Sequence, residues 1–381
     1  MYSVITMILP KLQNTIYQKI LKPTFFQFDA ENVHDFMTLS GQILGSNSIT
    51  RKITETVFLY KHPSLKQHIA GLDFANPIGL SAGFDYDAKL INILPSVGFG
   101  FHTAGTITNL PYEGNPKPRL GRLPKSQSLL VNKGFKSAGI DKIIPRLKNK
   151  KGQVPLGISL GSTNKTYPDF DAQIDDVRQA FVKVIQANVG DYYELNISCP
   201  NLCNIGDNGI SFSTAAGFKK LLSALRDLPF NKPVFIKMHL EKTLSETDEF
   251  LKIASGFDFV TGCIFSNLCK DRTNPVFDKD EIKTAGMGNF SGKPCFTGSN
   301  RLISFAYKNY SDRFIIIGVG GIFNAQDAYA KIKAGASLVQ MITGMVYQGP
   351  SIIGQINKDL VRLLKKDGFE NISQAIGADH R

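Results

Sequence analysis

From Pro77 onward the chain repeats one unit eight times: a short apolar run ending in small or polar residues, then a segment of helical spacing. The runs are Pro77–Ala82, Gly100–Thr106, Pro155–Leu160, Tyr192–Ser198, Pro233–His239, Phe257–Phe265, Arg313–Val319 and Ser337–Thr343. Among the segments between them, Ala172–Asn188, Thr214–Arg226, Leu244–Ser255 and Ala325–Ala334 carry helical character. Strands that are apolar along their length belong to parallel sheets covered on both faces. Eight such units in about 270 residues suit a closed barrel better than an open sheet. A doubly wound sheet is the competing arrangement, but no G-x-G-x-x-G follows the first run. The expected fold is α/β, a (β/α)8 barrel with a small N-terminal helical extension.

That extension, residues 1–70, reads as two helical segments without a strand. Ile16, Tyr17, Ile20 and Leu21 form a stripe that ends at Pro23, and Val33, Phe36, Met37, Ile43 and Leu44 form another. Phe25, Phe26 and Phe28 run between them. Such stripes either pack on the parent domain or meet lipid, and Lys11, Lys19 and Lys22 suit the second case. The chain therefore divides into a membrane-associating extension, 1–70, and the barrel, 71–381. No run reaches the ~18 unbroken apolar residues of a spanning helix. The opening MYSVITMILPKLQ lacks a basic start and a small-residue cleavage site, so it is not read as a signal peptide.

The formal net charge is +12, but the basic residues are scattered apart from Lys148, Lys150 and Lys151, and no nucleic-acid motif occurs. A solvated surface accounts for them. The five cysteines are odd in number and form no CxxC, which fits a reducing compartment and gives no zinc spacing. No metal site is expected.

Barrel active sites are built from the loops after the strands. The seventh run ends in Gly318-Val319-Gly320-Gly321-Ile322 and the eighth in Thr343-Gly344. Glycines there let backbone N–H groups approach a phosphate, although glycine also ends strands for steric reasons alone. Lys237 lies inside the fifth run, PVFIKMHL. A lysine so placed either snorkels from the strand end or stands beside a flavin, where it stabilises the negative charge of the reduced ring. The fourth run leads into Asn196-Ile197-Ser198-Cys199-Pro200-Asn201, and the sixth into Ser266-Asn267. Amides can pair with the imide edge of a pyrimidine, and a thiol among them can act as a base if its pKa falls from about 8.5.

The motifs NISCPN, IIIGVGGI, AGASLVQ, GNPKPR, NPIGLSAGFD and the ending AIGADHR resemble the dihydroorotate dehydrogenase family over nearly the whole chain. FFQFDAENVHDFM and HPSLKQHIAGLDFANPIGL resemble the extension of its membrane-associated, quinone-using class 2. The resemblance implies a barrel with FMN at the strand ends that oxidises dihydroorotate to orotate in pyrimidine biosynthesis, peripheral to the cytoplasmic face of the cell membrane. It implies that Ala82, Gly83, Thr106, Asn196, Lys237, Ser266 and Gly292 contact FMN. Gly320, Gly321, Thr343 and Gly344 would hold its phosphate. Asn132, Lys133, Gly134, Phe135, Asn196, Asn201 and Asn267 would bind substrate, Cys199 would take its C5 proton, and His34 and Arg122 would line the quinone tunnel.

The sequence also departs from the family. Class 2 members usually carry serine where Cys199 stands. Tyr86 replaces their substrate-binding lysine, Ala104 offers none, and Ser159 replaces a flavin-contacting asparagine. Leu268 replaces a threonine at the substrate and Ile342 a tyrosine near the quinone. The substrate loop Asn132-Lys133-Gly134-Phe135 is one residue shorter than usual. Lys133 is then either a solvated loop lysine or the partner of the substrate's carboxylate. Two other readings stay open: a flavin barrel that takes another dihydropyrimidine or a soluble acceptor such as fumarate or NAD, and an inactive relative that binds flavin or membrane.

Overall fold

The structure, a computed structural model, describes residues 13–151, 154–198 and 210–381. All eight expected barrel strands form, as Ile78–Leu80, Phe101–Thr108, Leu156–Gly161, Tyr192–Asn196, Val234–Lys237, Val260–Phe265, Ile315–Val319 and Leu338–Met341. They pair in parallel in chain order, and the eighth returns to the first through Val339↔Ile78 and Met341↔Leu80. Helices Phe170–Gln186, Ala215–Leu225, Leu244–Ser255 and Ala325–Lys333 stand at the expected positions. Each starts on a side chain that accepts from a first-turn N–H: Asp169, Thr214, Thr243 and Asn324. The main apolar core lies between this helical layer and the strands.

Inside the barrel, the period-2 alternation of a strand stacks side chains i and i+2 along the axis. Phe101, Tyr192, Phe235 and Leu338 form an apolar layer with Ile264, Ile317 and Phe74. Two residues further on stand Thr103, Glu194 and Gln340. Thr103 and Gln340 both donate to Glu194 Oε1, at 2.6 and 2.7 Å. Another step along the fourth strand brings Asn196, whose register partner on the fifth strand is Lys237. The interior thus changes from apolar to hydrogen-bonded to cationic toward the C-terminal ends of the strands.

The extension holds Tyr17–Leu21, Lys22–Phe25, and two longer helices, Ala30–Ser46 and Ser48–Phe58. Asp29 caps the first long helix; Asn47, in an extended conformation, ends it and caps the second. The reading of residues 1–70 as strandless, with two helical segments, needs correction. Gln67–Ile69 pairs antiparallel with Leu72–Phe74 across a turn in which Ala70 (φ 51°) and Gly71 (φ 75°) are both left-handed. This is the geometry of a tight hairpin, and three-residue strands are too short to show a period. Ile69, Leu72 and Phe74 pack against the apolar layer at the barrel base.

A second sheet was not legible in the sequence. Ser128–Val131 pairs antiparallel with both Leu120–Leu123 and Asn289–Gly292. It joins the loops after the second and sixth barrel strands, and it carries Arg122, Leu129, Val131 and Gly292 to the barrel mouth.

Candidate active site

A cavity of about 490 Å³ runs from the strand ends to the N-terminal helices. Its wall includes Ala82, Gly83, Thr106, Asn196, Lys237, Ser266, Asn267 and Gly292. Lys237 is buried and donates to Ser81 Oγ at 3.0 Å. Burial raises the pKa of Glu194, one layer deeper, and the attraction of Lys237 opposes that rise. The lysine is therefore an interior cation held at the cavity floor, not a snorkelling one. The Ser266 hydroxyl is fully buried and has no hydrogen-bond partner among the described residues. A buried hydroxyl without a partner is costly, so this one is built to meet a ligand.

The glycine loops close one side of the cavity. Gly320 (φ 105°) and Gly321 (φ 74°) are left-handed. A Cβ on Gly320 would lie 2.8 Å from Cys295 Cβ, and one on Gly321 2.5 Å from Phe296 Cβ. A Cβ on Gly344 would run into the Ile322 carbonyl. Thr343 Oγ1 lies 2.7 Å from Ser291 Oγ, which ties the second sheet to this loop. The backbone is exposed toward the cavity because side chains cannot be accommodated, which is the cradle a phosphate needs.

On the opposite side the amides are organised by a residue that the sequence did not single out. Ser198 Oγ donates to Asn196 Oδ1 at 3.0 Å and accepts from Asn267 Nδ2 at 2.9 Å. Asn196 Nδ2 donates to Thr106 Oγ1 at 2.8 Å, and Ser159 Oγ lies 2.9 Å from the same hydroxyl. Leu268 and Ile342, both departures from the family, line the wall. Cys199 and Asn201 lie outside the described residues.

Lys133, Gly134 and Phe135 also line the cavity, with Gly134 and Phe135 both left-handed. Asn132 is not among the lining residues; its Oδ1 accepts from Asn115 Nδ2 at 3.0 Å. Lys133 is no solvated loop lysine. It is buried, with its Nζ 2.8 Å from Glu31 Oε1 and 4.7 Å from the centre of the Tyr86 ring. Burial lowers its pKa, and Glu31 opposes that shift. Burial likewise raises the Tyr86 phenol above its ordinary range. Glu31, Arg119 and Lys136 complete this cluster. The replacement of a lysine by Tyr86 and the shortened loop at Lys133 were the sequence signals pointing to it.

The far end of the cavity is apolar, lined by Phe25, Val33, Met37, Leu44, Phe58 and Leu94 among others. His34 Nε2 donates to the Phe84 carbonyl at 2.7 Å, and its ring centre is 5.0 Å from that of Tyr86. Arg122 Nη1 donates to the Phe28 carbonyl at 2.8 Å and its guanidinium rests on the Phe26 ring at 4.7 Å. Tyr17 OH donates to the Val346 carbonyl at 2.6 Å. These contacts dock the extension on the barrel and keep both expected residues, His34 and Arg122, on the wall.

Fold and site together define a (β/α)8 barrel in which one cavity joins a polar, glycine-edged pocket at the strand ends to an apolar end under the N-terminal helices, the arrangement of a barrel oxidoreductase. The model of the dihydroorotate dehydrogenase family matches residues 64–364. Dihydroorotate dehydrogenase (quinone) of Roseiflexus castenholzii is 31% identical over 94% of this chain and 96% of its own length. The enzyme of the same name from Helicobacter acinonychis is 33% identical over 95% and 99%. The crystal structure of DHODH in complex with ferulenol from Eimeria tenella superposes with a TM-score of 0.78 at 28% identity, covering 93% of this chain and 96% of that one. The chain belongs to the dihydroorotate dehydrogenase family, in its quinone-linked class. It is thus an oxidoreductase of a flavin-dependent family.

One consequence concerns the glycine cradle. Gly344→Ala is expected to lower the flavin content of purified protein and to destabilise it by at least about 1–3 kcal/mol, the range for overpacking. Flavin absorbance per chain and thermal unfolding measure both. A variant with full flavin content would show that the close backbone approach at Gly344 is not needed to hold the flavin.

Proposed function

We propose that the protein oxidises dihydroorotate to orotate with FMN as its cofactor and a membrane quinone as the electron acceptor, in UMP biosynthesis. The carrying observation is the single cavity that joins the amide-lined pocket, the glycine cradle and the apolar tunnel. FMN fits the residues present. Gly320, Gly321, Thr343 and Gly344 would hold its phosphate; Ala82, Gly83, Thr106, Asn196, Lys237, Ser266 and Gly292 would hold the ring and ribityl chain. FMN supplies a two-electron acceptor for the substrate's hydride. Lys237 offers positive charge where negative charge accumulates on reduction, and Ser266 offers a hydroxyl with no partner among the described residues.

Asn196 and Asn267, joined through Ser198, orient the pyrimidine edge, with Gly134, Phe135 and Asn201 completing the pocket and Asn132 bracing the substrate loop through its bond from Asn115. Cys199 removes the proton from C5. Lys133 supplies the cation for the substrate carboxylate in place of the lysine that Tyr86 replaces. Its burial at the cavity wall supports this role.

Residues 1–70 act as the membrane-associating, quinone-tunnel extension, with residues 71–381 as the FMN barrel. Among the described residues, no helix is long and apolar enough to cross a membrane. Phe36, Leu39 and Ile43 of one helix and Ile49 and Ile53 of the next are exposed. Adjacent exposed apolar residues of this kind suit shallow burial in a lipid interface, at the cytoplasmic face of the cell membrane. Quinone would enter between these helices and meet His34 and Arg122.

The test is anaerobic mixing of purified protein with dihydroorotate while flavin absorbance is followed, then reoxidation by quinone, fumarate or NAD in parallel. Flavin bleaching followed by preferential reoxidation by quinone is expected. Bleaching by an uncharged dihydropyrimidine alone, or preferential reoxidation by fumarate or NAD, would replace this reading with the other flavin-barrel function. A bound flavin that no dihydropyrimidine bleaches would favour the inactive relative.

A further inference from the structure

Glu31 accepts from three cations at once. Arg119 Nε bonds both carboxylate oxygens, at 3.0 and 2.8 Å, while Lys133 Nζ and Lys136 Nζ lie 2.8 and 3.2 Å from Oε1. Glu31, Arg119 and Lys133 are buried. Burial raises the Glu31 pKa, but the bonds from Arg119 and Lys133 outweigh it and hold the carboxyl well below its usual range. Three positive charges meet one directly bonded carboxylate, with Asp35 a second anion nearby, so positive charge is in excess beside the cavity. One arginine would have been enough to satisfy a structural glutamate.

The three cations are held differently. Arg119 also donates to the Glu113 and Asn115 carbonyls, at 2.6 and 3.0 Å, which fixes it in place. Lys133 instead rests its ammonium on the face of Tyr86 and borders the cavity. A buried lysine is normally immobile because leaving its partner strands two charges. Here the move strands neither. If Lys133 turns to an incoming carboxylate, Glu31 keeps its two-point bond to Arg119 and its contact with Lys136. Lys133 exchanges one carboxylate for another.

We propose that Glu31 is a resident carboxylate that competes with the anionic substrate for Lys133, so that substrate binding releases one of the bonds docking helix Ala30–Ser46. This rests on the reading of Lys133 as the substrate's cation. The same helix carries His34, whose ring neighbours that of Tyr86, so the exchange links the substrate end of the cavity to its acceptor end. Linkage is reciprocal: what strengthens the Glu31–Lys133 bond weakens the substrate, and bound substrate weakens that bond.

The test uses the flavin-loaded, full-length protein and orotate as the anionic probe. By calorimetric titration, Glu31→Gln is expected to bind orotate about five- to tenfold more tightly, the lower part of the range for coupled sites. In the unaltered protein, saturating orotate is expected to speed amide hydrogen exchange across residues 30–46, and Lys133→Met to remove that response. A purely structural Glu31 predicts the opposite signs, because a loosened loop binds ligand less well and a bound ligand ordinarily slows exchange. Orotate affinity that is unchanged or reduced in Glu31→Gln overturns the proposal. So does exchange across 30–46 that orotate slows or leaves alone, a measurement that decides the matter even if Glu31→Gln does not fold. If Lys133→Met binds orotate as tightly as the parent, the underlying assignment of Lys133 falls, and with it the linkage.

Discussion

Replacing Cys199 by alanine is expected to slow flavin reduction by dihydroorotate about 10²–10⁴-fold, the usual cost of losing a positioned base, while flavin stays bound. The thiol follows the strand Tyr192–Asn196, whose end carries an amide of the expected substrate site. Of the groups that would hold the cofactor only Asn196 belongs to that strand; the others include Ser266 after the sixth, Gly320 and Gly321 after the seventh, and Thr343 and Gly344 after the eighth. Chemistry and cofactor retention should therefore separate in this variant. Stopped-flow absorbance under anaerobic conditions measures the first, and flavin content the second. Cys199→Ser should keep part of the rate with a shifted pH dependence. A thiol titrates in an accessible range, from a free value of about 8.5, whereas a hydroxyl must be activated by its surroundings. If Cys199→Ala reduced flavin at the parent rate, the base would have to be sought on another residue.

Lys133→Met should weaken dihydroorotate binding by about 2–5 kcal/mol, the loss seen when a buried charge is deprived of its partner. Tyr86 is neutral and Ala104 has no functional group, so neither can balance a carboxylate once it leaves water. The variant should still fold. Glu31 retains its bonds to Arg119 and Lys136, and methionine fills much of the volume that the lysine stem occupies. An uncharged dihydropyrimidine should lose far less affinity than dihydroorotate, which separates the loss of a charge from general damage to the loop. Titration of both ligands against parent and variant gives the comparison. Equal affinity for dihydroorotate in the two proteins would assign the carboxylate to another residue. A parent that prefers the uncharged compound would change the substrate.

Part of the site was legible because it follows from local rules. Lys237 had to be unusual, since a charge in an apolar strand must be compensated, and Glu194 lies one layer below it. Gly320, Gly321 and Gly344 were visible as glycines at strand ends, and the structure adds the clashes that make them necessary. The extension was read less well. Its stripes were apparent, but the hairpin Gln67–Phe74 was not, and neither, within the barrel loops, was the sheet joining 128–131 to 289–292. Strands of three or four residues carry too little periodicity to stand out from a loop.

By itself the sequence determined the eight-unit barrel, the end of it that carries the chemistry, and the glycines and lysine at that end. Each of these rests on spacing within a few residues, through the 2.0 and 3.6 periods and the conformational freedom of glycine. Tertiary structure alone decided the charge pattern around the substrate loop. Glu31 and Lys133 are 102 positions apart, and Glu31 and Arg119 are 88 apart. Nothing in the local pattern of either segment announces the other. Ion pairing depends on which loops the fold brings within about 4 Å of each other, and whether a lysine is solvated or committed depends on what then excludes water from it. Lys133 could be read either way in the chain; burial against Tyr86 and Glu31 committed it to the cavity wall.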